Sequence, residues 1–481
     1  MFSLKHTSNL SSKVCRIGSR TFSPGALQQT SSMPPAWLQS MLSAAVEQEP
    51  PRLYAWNLSN VEGQTQPFNP PASSRPDERI SYNHQDGSAR RVYIMGVGNL
   101  GTLFASSLAS MPEPPAITLV VHRKDLLLSW REQPGIEITR QGSIQKHLDF
   151  DVELWSEEPP SIGLKREVAE GQTIRNLVVA TKASQALPEV DRIRGYLNGT
   201  STIAFAQNGM CKLWPPHGKT YTKSRYPGAS HPNWLACVTT HGVTSLGRFK
   251  SLHASEANLK IGPVLLNEFP ENASYLSDVL CRAPFLHGQK VTQDELWILQ
   301  LEKLVVNSII NPLTAILRCK NGDLFLEKEG VLAELINALL LEASNVLQAL
   351  IKDRSIDAII RPVSQEATST TTVESARKCI HQRRDLLDRF SQPQLYEMLY
   401  SVGNKVRDNT SSMLQDVRAG KQTEINEFNG WLVETAGYLN DNLDVTHHRI
   451  LVDLVHNGAV FEKGSLANYF PYLKGSKPAA V

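Results

Sequence analysis

An apolar strand that runs directly into a glycine-rich turn is the feature that most limits how this chain can fold. Residues 91–101 read RVYIMGVGNLG, followed by a helical stretch over 102–110 and a second apolar run over 117–121. This order predicts the strand–helix–strand unit that binds dinucleotides. The N–H groups at the helix N-terminus are expected to hold the phosphates. The predicted cofactor loop consists of Gly96, Val97, Gly98, Asn99, Leu100 and Gly101.

The residues after the second apolar run indicate which dinucleotide binds. An NAD-binding unit usually carries an acidic residue at this point, where it holds the ribose hydroxyls. This sequence has His122, Arg123 and Lys124 there, and cationic groups suit the 2′-phosphate of NADP(H). We therefore predict NADP(H) as the cofactor, with Arg123 binding the 2′-phosphate. The alternative is that Arg123 and Lys124 are solvated loop charges.

Length, charge and cysteine spacing limit the classes of protein to consider. A chain of 481 residues is long enough for two or three domains. A net charge of +2 gives no support for a nucleic-acid or membrane surface, so neither partner is expected. No apolar run approaches the length of a membrane-spanning helix. The six cysteines are scattered and never spaced as C-x-x-C, which predicts reduced thiols, no disulfide framework and no metal site.

The first ninety residues differ in composition from the rest. Residues 1–46 contain no Asp or Glu, and basic residues alternate with serines in this segment. This composition is typical of a mitochondrial transit segment, which we predict over residues 1–32; the alternative is a disordered polar tail. Residues 33–90 include a stretch rich in Pro, Ser and Asn, which we interpret as an extension or linker. The ordered domain is therefore expected to begin near Arg90.

Apolar runs and helical periodicity divide the remaining chain into two parts. Short runs over 177–181, 202–206 and 236–240 predict buried parallel strands, whereas the periodicity from residue 292 onward is helical. We predict an α/β fold with an N-terminal Rossmann-like NADP-binding domain over 91–290 and an all-α C-terminal domain over 291–475. A long loop is expected over 212–233 and a surface excursion over 354–373.

Three polar residues share one face of an otherwise apolar helix. Lys303, Asn307 and Asn311 are spaced at i, i+4 and i+8, so their side chains form one stripe. Asparagine is a poor residue in the middle of a helix, which suggests a role beyond helix formation. Either the stripe faces a cleft that holds a polar ligand, or it meets solvent and neighbouring backbone groups.

Other polar residues follow predicted strands or form a late cluster. Lys182 and Asn208 come directly after two strands, at the carboxyl edge where such sheets bind ligands. Taken alone, Lys182 is equally consistent with a surface charge, and Asn208 with a turn. Residues 411–426 form a further polar cluster, whose spacing alone does not make it catalytic; the alternative is a simple pairing of Asp416 with Arg418.

Together these segments resemble the ketopantoate reductase (2-dehydropantoate 2-reductase) family, particularly its longer fungal members. The resemblance runs from about Arg91 to His456. The order and spacing of the matching segments make the resemblance specific. The matching segments are 96–101, Arg123, 181–183, 207–210, 240–242, 261–263, 303–315, 321–322 and 411–424.

The resemblance implies a reaction and a role for each matching residue. The family reduces 2-dehydropantoate to (R)-pantoate with NADPH, a step toward pantothenate and coenzyme A. By motif position, Lys303 would protonate the developing alkoxide, and Glu424 would anchor the terminal hydroxyl as a second catalytic residue. The substrate would be held by Asn307, Asn311 and Ser412, with Lys182 and Asn208 bordering both substrate and nicotinamide. The family also implies a small 2-keto acid as the partner and a homodimer as the assembly.

Two alternatives to this activity stay open. One is a reductase of another branched 2-keto acid, which would differ only in the pocket. The other is a non-catalytic mitochondrial factor on the same fold, although retention of Lys303 and Glu424 and the lack of a large basic patch argue against it. One departure from the family is Cys211, which stands where glycine often follows Asn-Gly-Met.

Overall fold

The N-terminal part of the protein is built on two sheets. A computed structural model describes residues 34–43, 49–61, 89–228, 230–360, 372–439, 442–470 and 473, so the predicted transit segment lies outside the described residues. The strands of the described part are β1 (Tyr54–Trp56), β2 (Val92–Met95), β3 (Ile117–Val121), β4 (Ile136–Arg140), β5 (Ser143–His147), β6 (Asp151–Ser156), β7 (Asn176–Val179), β8 (Thr202–Phe205), β9 (Asn233–Thr239), β10 (Gly242–Gly247), β11 (Lys250–Ser255), β12 (Leu259–Leu265) and β13 (Gly288–Lys290).

The larger sheet has the order β1-β6-β3-β2-β7-β8-β9-β12-β13. The central strands from β6 to β9 are all parallel, whereas β1 and β12 pair antiparallel with β6 and β9. Strands β2, β3, β7 and β8 are buried along their whole length, because helices cover both faces of such a sheet. The predicted Rossmann-like fold is confirmed.

Downstream of β13, the described residues contain helices and no strand, which confirms the all-α second part. The α-helices of the described part are α1 (Ala36–Ser43), α2 (Asn99–Ala109), α3 (Lys124–Glu132), α4 (Ala183–Arg192), α5 (His217–Arg225), α6 (Ala273–Arg282), α7 (Gln293–Leu317), α8 (Val331–Lys352), α9 (Asp357–Ile360), α10 (Thr372–Arg389), α11 (Gln392–Lys405), α12 (Ser412–Arg418), α13 (Trp431–Leu439) and α14 (Thr446–His456). A short π-helix over Asn426–Gly430 precedes α13.

A second sheet, which the sequence did not predict, packs against α2. Its order is β10-β11-β4-β5, and β11 and β4 are parallel. Ile136 and Ile138 of β4 are fully buried in the same apolar cluster as Leu103 and Leu108 of α2. The small sheet therefore covers the helix that begins at the glycine loop.

Two long helices form the centre of the helical part. Helix α7 begins with a capping box in which Thr292 and Glu295 bond each other's backbone N–H groups. Helix α8 is long and apolar enough by composition to cross a membrane, which corrects the expectation that no segment approaches that length. Its apolar residues, including Leu335 and Leu339, are instead fully buried in the protein core.

The segments expected to be linkers or loops contain ordered elements. β1 belongs to the main sheet, so the ordered domain begins well before Arg90. In α1, Trp37 Nε1 donates to Glu434 Oε1 on α13 at 3.0 Å. The expected loop over 212–233 includes α5, whose sequence shows no apolar stripe that would have predicted it. Of the expected excursion over 354–373, residues 361–371 lie outside the described part, and α9 and α10 flank them.

Candidate active site

The glycine loop joins β2 to α2 at the carboxyl edge of the sheet. Gly96 has φ +91°, and a Cβ there would lie 2.9 Å from the Ala180 carbonyl carbon. A Cβ on Gly101 would lie 2.0 Å from the Gly96 oxygen, so both positions exclude larger residues. At Gly98 a Cβ would meet nothing within 4 Å, and this residue caps α2 without a side-chain hydrogen bond. The open space beside free helix N–H groups fits a pyrophosphate.

The remaining loop residues fix this turn to its surroundings. Val97 and Leu100 pack against the apolar core of the nucleotide-binding part. Asn99 Nδ2 donates to the Val243 carbonyl at 3.1 Å, which ties the loop to the small sheet. Packing of Val97 and Leu100 and the hydrogen bond of Asn99 therefore fix the loop to the rest of the protein.

The three basic residues after β3, His122, Arg123 and Lys124, have different surroundings. The Arg123 side chain is 58% exposed and its Nε lies 3.2 Å from Asp125 Oδ1. Lys124 Nζ lies 4.0 Å from the centre of the Trp56 ring, a cation–π contact with β1. Burial and the neighbouring Arg123 lower the pKa of His122, so this imidazole is neutral near pH 7. Of these three residues, Arg123 presents an exposed guanidinium group that could hold an anionic part of a cofactor.

Lys303 on α7 lies at the centre of the candidate active site. Its Nζ donates to Asn208 Oδ1 at 2.9 Å and to the Thr239 carbonyl at 2.5 Å. An ammonium group has three N–H donors, so one is left for a ligand. Desolvation lowers the pKa of Lys303 to about 8, while the charge of Glu424 opposes this shift. The group is thus protonated at neutral pH and can release its proton readily.

Glu424 is joined to Lys303 through Asn208. Asn208 Nδ2 donates to Glu424 Oε2 at 3.3 Å, and the backbone N–H of Ala183 donates to Oε1 at 3.3 Å. The Glu424 residue is 9% exposed. The carboxylate therefore orients the Asn208 amide so that its oxygen faces the Lys303 ammonium.

Lys182 forms an ion pair that the sequence did not predict. Its Nζ lies 2.5 Å from Asp416 Oδ2, across a sequence separation of 234 residues. Asp416 therefore pairs with Lys182, which replaces the alternative of a simple pairing with Arg418. The pair links the segment after β7 to α12, and thus the nucleotide-binding part to the helical part.

The rest of the polar stripe lies along α7 beyond Lys303. Asn311 Nδ2 donates to Ser412 Oγ at 3.4 Å. Asn307 is partly exposed and makes no side-chain hydrogen bond to the residues that the structure describes. Ser411 caps α12 and also bonds Thr314 Oγ1 at 2.7 Å. Asn311 and Ser412 are therefore in contact, and Asn307 lies one turn before Asn311 on the same face of α7.

A further residue that the sequence analysis missed is Asn429, in the π-helix after Glu424. Pro312 has no N–H, so the Ser308 carbonyl lacks its usual partner within α7. Asn429 Nδ2 donates to that carbonyl at 2.8 Å and also contacts His448 Nδ1 at 2.9 Å. Burial lowers the pKa of His448 to about 4, so this ring is a neutral acceptor. Pro312 inside the predicted helix was the sequence signal that the Ser308 carbonyl needs a hydrogen-bond donor from outside α7.

Comparison with known proteins identifies the family. The model described as "Ketopantoate reductase PanE/ApbA" matches residues 92–265, and the one described as "Ketopantoate reductase PanE/ApbA C terminal" matches residues 296–459. The chain belongs to the ketopantoate reductase family. It is therefore an oxidoreductase of that family, whose members use NAD(P)H, and the predicted resemblance is confirmed.

Similar curated proteins fall into two groups by name. A ketoisovalerate reductase of Gibberella fujikuroi is 40% identical over 90% of this chain and 98% of its own length. A ketoisovalerate reductase of Beauveria bassiana is 39% identical over 90% and 98%. A probable 2-dehydropantoate 2-reductase of Schizosaccharomyces pombe is 28% identical over 72% and 90%.

Solved structures of similar proteins share the fold. A ketopantoate reductase from Ralstonia eutropha has a TM-score of 0.52 at 17% identity, over 76% of this chain and 98% of its own. D-mandelate dehydrogenase with NADH and anilino(oxo)acetate has a TM-score of 0.52 at 15% identity, over 76% of this chain and 98% of its own.

Among the described residues of this chain, no group of three or more His, Cys, Asp or Glu could hold a metal ion.

Proposed function

We propose that this family member reduces a branched 2-keto acid with NADPH, and that 2-ketoisovalerate is its preferred substrate. The observation that carries the proposal is the position of Lys303. It is a partly buried ammonium with a lowered pKa, held by Asn208 and the Thr239 carbonyl, with one donor left. This is the arrangement that a general acid needs for ketone reduction.

The chain offers a complete set of groups for the cofactor. The open face at Gly98 and the start of α2 would take the pyrophosphate, and Arg123 would take the 2′-phosphate. Lys182 and Asn208 lie at the carboxyl ends of neighbouring strands, where they would border the nicotinamide. When bound, NADPH supplies the hydride that adds to the keto carbon.

The proton for the keto oxygen would come from Lys303. As the carbon receives hydride, the oxygen takes a proton from Nζ, so the ketone becomes a secondary alcohol and the lysine becomes neutral. Two fixed hydrogen bonds hold Nζ in place, which limits the motion needed before transfer. Proton transfer from a positioned acid typically accelerates a reaction by a factor of about 10² to 10⁴.

Neutral polar groups would hold the substrate carboxylate. The amide of Asn307 makes no side-chain hydrogen bond to any residue that the structure describes, and Asn311 is paired only loosely with Ser412 at 3.4 Å. Donors from these three side chains can bind a carboxylate without adding a charge that would change the pKa of Lys303. They would orient the keto carbon relative to Lys303.

Two observations support 2-ketoisovalerate as the preferred substrate. The relatives of 40% and 39% identity, which span 90% of this chain, are both named ketoisovalerate reductase. In addition, both carboxylate oxygens of Glu424 already accept hydrogen bonds, from Asn208 and Ala183. Both oxygens of the Glu424 carboxylate therefore keep a hydrogen-bond partner even when the substrate has no terminal hydroxyl.

Reduction of 2-dehydropantoate is the second candidate. It is supported by relatives of 28% and 25% identity named as 2-dehydropantoate 2-reductases. Each carboxylate oxygen also keeps lone-pair capacity, so Glu424 can accept a hydrogen bond from the additional hydroxyl.

The two candidates are separated by kinetics with both keto acids. NADPH oxidation would be followed by absorbance with 2-ketoisovalerate, 2-dehydropantoate and pyruvate. The proposal expects kcat/KM to be at least about tenfold higher for 2-ketoisovalerate than for 2-dehydropantoate, which is the scale of about 1.4 kcal/mol in transition-state binding. The reverse order would establish the second candidate. Absence of turnover with every keto acid, while NADPH still binds, would contradict both.

Location and assembly are proposed from observations that are independent of the site. The acid-free, basic and serine-containing composition of residues 1–46 supports a mitochondrial destination. Fusion of residues 1–46 to a fluorescent protein would test it, and uniform cytoplasmic fluorescence would contradict it. A homodimer is proposed from family membership and is tested by the mass of the purified protein in solution.

A further inference from the structure

Two arginines from different sheets converge on one carboxylate beside the expected ribose site. Arg123 Nε lies 3.2 Å from Asp125 Oδ1. Arg248 Nη2 lies 2.9 Å from Asp125 Oδ2, and its Nη1 donates to the Asp125 carbonyl at 3.3 Å and to Ser129 Oγ. Arg248 belongs to the turn between β10 and β11, outside the nucleotide-binding sheet. The two guanidinium groups therefore bind the two oxygens of the same carboxylate.

The turn that carries Arg248 is fixed to α3. Its next residue, Phe249, is buried and packs edge-on against Trp130 of α3 with ring centres 5.1 Å apart. The Phe249 carbonyl accepts a hydrogen bond from the Glu137 N–H at 2.9 Å. Arg248 is thus presented to the first turns of α3 by rigid packing, and its position does not depend on Asp125 alone.

The location is the one where the 2′-phosphate of NADPH is expected. Arg123 follows β3, the strand next to β2, which leads into the glycine loop. In this fold the carboxyl end of that neighbouring strand borders the adenosine ribose. The side chains of Arg123, Asp125 and Arg248 are 58%, 42% and 53% exposed, so all three can rearrange around a ligand.

We propose that Arg248 is a second determinant of NADPH specificity and shares the 2′-phosphate with Arg123. The inference rests on the proposed use of NADPH. A phosphate presents several oxygens to two arginine forks, and each fork can bind bidentately. The phosphate would take the arginine N–H groups that now face Asp125, while Phe249 keeps the turn in place.

A pair of nucleotides that differ only in the 2′-phosphate tests this proposal directly. Adenosine 2′,5′-bisphosphate and 5′-AMP would be titrated into the full chain by calorimetry. Wild type, Arg123→Ala and Arg248→Ala would be compared, with thermal unfolding checked for each. Lys250→Ala serves as the matched control, because it removes one positive charge from the same hairpin at a residue that pairs with Glu137.

The expected result is selective weakening. Arg248→Ala should weaken adenosine 2′,5′-bisphosphate by about tenfold or more, the scale of one hydrogen bond to a charged group, and leave 5′-AMP within about twofold. Lys250→Ala should change neither. An equal loss for both nucleotides, or no loss, would overturn the proposal and reduce Arg248 to an anchor of the hairpin. If Arg123→Ala alone is selective, NADPH use stands and this proposal fails. If wild type does not distinguish the two nucleotides, the NADPH preference itself fails, and this proposal with it.

Discussion

Asn208 connects Lys303 to Glu424: its amide oxygen accepts from the lysine at 2.9 Å and its amide nitrogen donates to the carboxylate at 3.3 Å. In the part of the chain that the structure describes, Lys303 and Glu424 form no direct ion pair. Glu424 therefore influences the proton on Lys303 through its charge and through the orientation of Asn208.

The rate of keto acid reduction should fall as the pH rises through about 8. Burial lowers the pKa of Lys303 to about 8, so the lysine loses its proton above this value and can no longer protonate the keto oxygen. The kcat/KM for reduction should then decrease about tenfold for each further pH unit. Oxidation of the 2-hydroxy acid needs the neutral lysine and should rise over the same range. Parallel pH profiles in both directions would contradict Lys303 as the acid.

Glu424→Gln should move the alkaline limb of that profile to lower pH. The negative charge of Glu424 raises the pKa of Lys303, so its removal leaves desolvation less opposed and the pKa falls further. Glutamine keeps the size of the side chain and an oxygen acceptor for Asn208. The pH dependence of kcat/KM for reduction is the measurement. A limb that stays in place or moves to higher pH would mean that Glu424 does not act on Lys303.

Asp416→Asn should raise KM for the keto acid, with a smaller effect on kcat. The Lys182–Asp416 contact at 2.5 Å joins the nucleotide-binding part to the helical part, and loss of the Asp416 charge releases Lys182. We expect kcat/KM to fall by about tenfold, the scale of one hydrogen bond between charged groups. Arg418→Ala is the matched control, because Arg418 is an exposed neighbour on the same helix. Equal effects of the two substitutions would argue against the bridge.

The stabilising role of Asn429 should depend on Pro312. Asn429→Ala leaves the Ser308 carbonyl without a donor, and we expect a loss of about 1–2 kcal/mol in the free energy of unfolding. In a Pro312→Ala background, residue 312 can donate its own N–H to Ser308, so the same substitution should cost less. A double-mutant cycle by chemical denaturation measures the coupling. Additive effects would show that Asn429 does not replace the donor that proline lacks.

Much of the fold and the site could be predicted because the relevant signals are local. The apolar strand and the glycine loop lie within eleven residues and lead directly into a helix. The shared face of Lys303 and Asn307 follows from their i, i+4 spacing and helix geometry alone. Contacts between distant segments could not be read this way. Asp416 has a nearby arginine in sequence, yet it pairs with Lys182, 234 residues away.

Elements with weak patterns were also missed. Strand β10 is partly or fully exposed along its length, so it lacks the alternation that identifies a half-buried strand. Strand β1 has three residues and is separated from the rest of the sheet by residues 62–88, which lie outside the described part. Its place at the sheet edge depends on pairing with β6, about one hundred residues later.

Lys303 is the proton donor on which the proposed reaction depends, and Lys303→Ala tests this role directly. NADPH oxidation with 2-ketoisovalerate would be measured for wild type and variant, together with NADPH binding by protein fluorescence. If Lys303 is the general acid, kcat falls at least about a hundredfold, the usual scale for loss of such a group, while NADPH affinity stays near that of wild type. Turnover by the variant within a few-fold of wild type would contradict it.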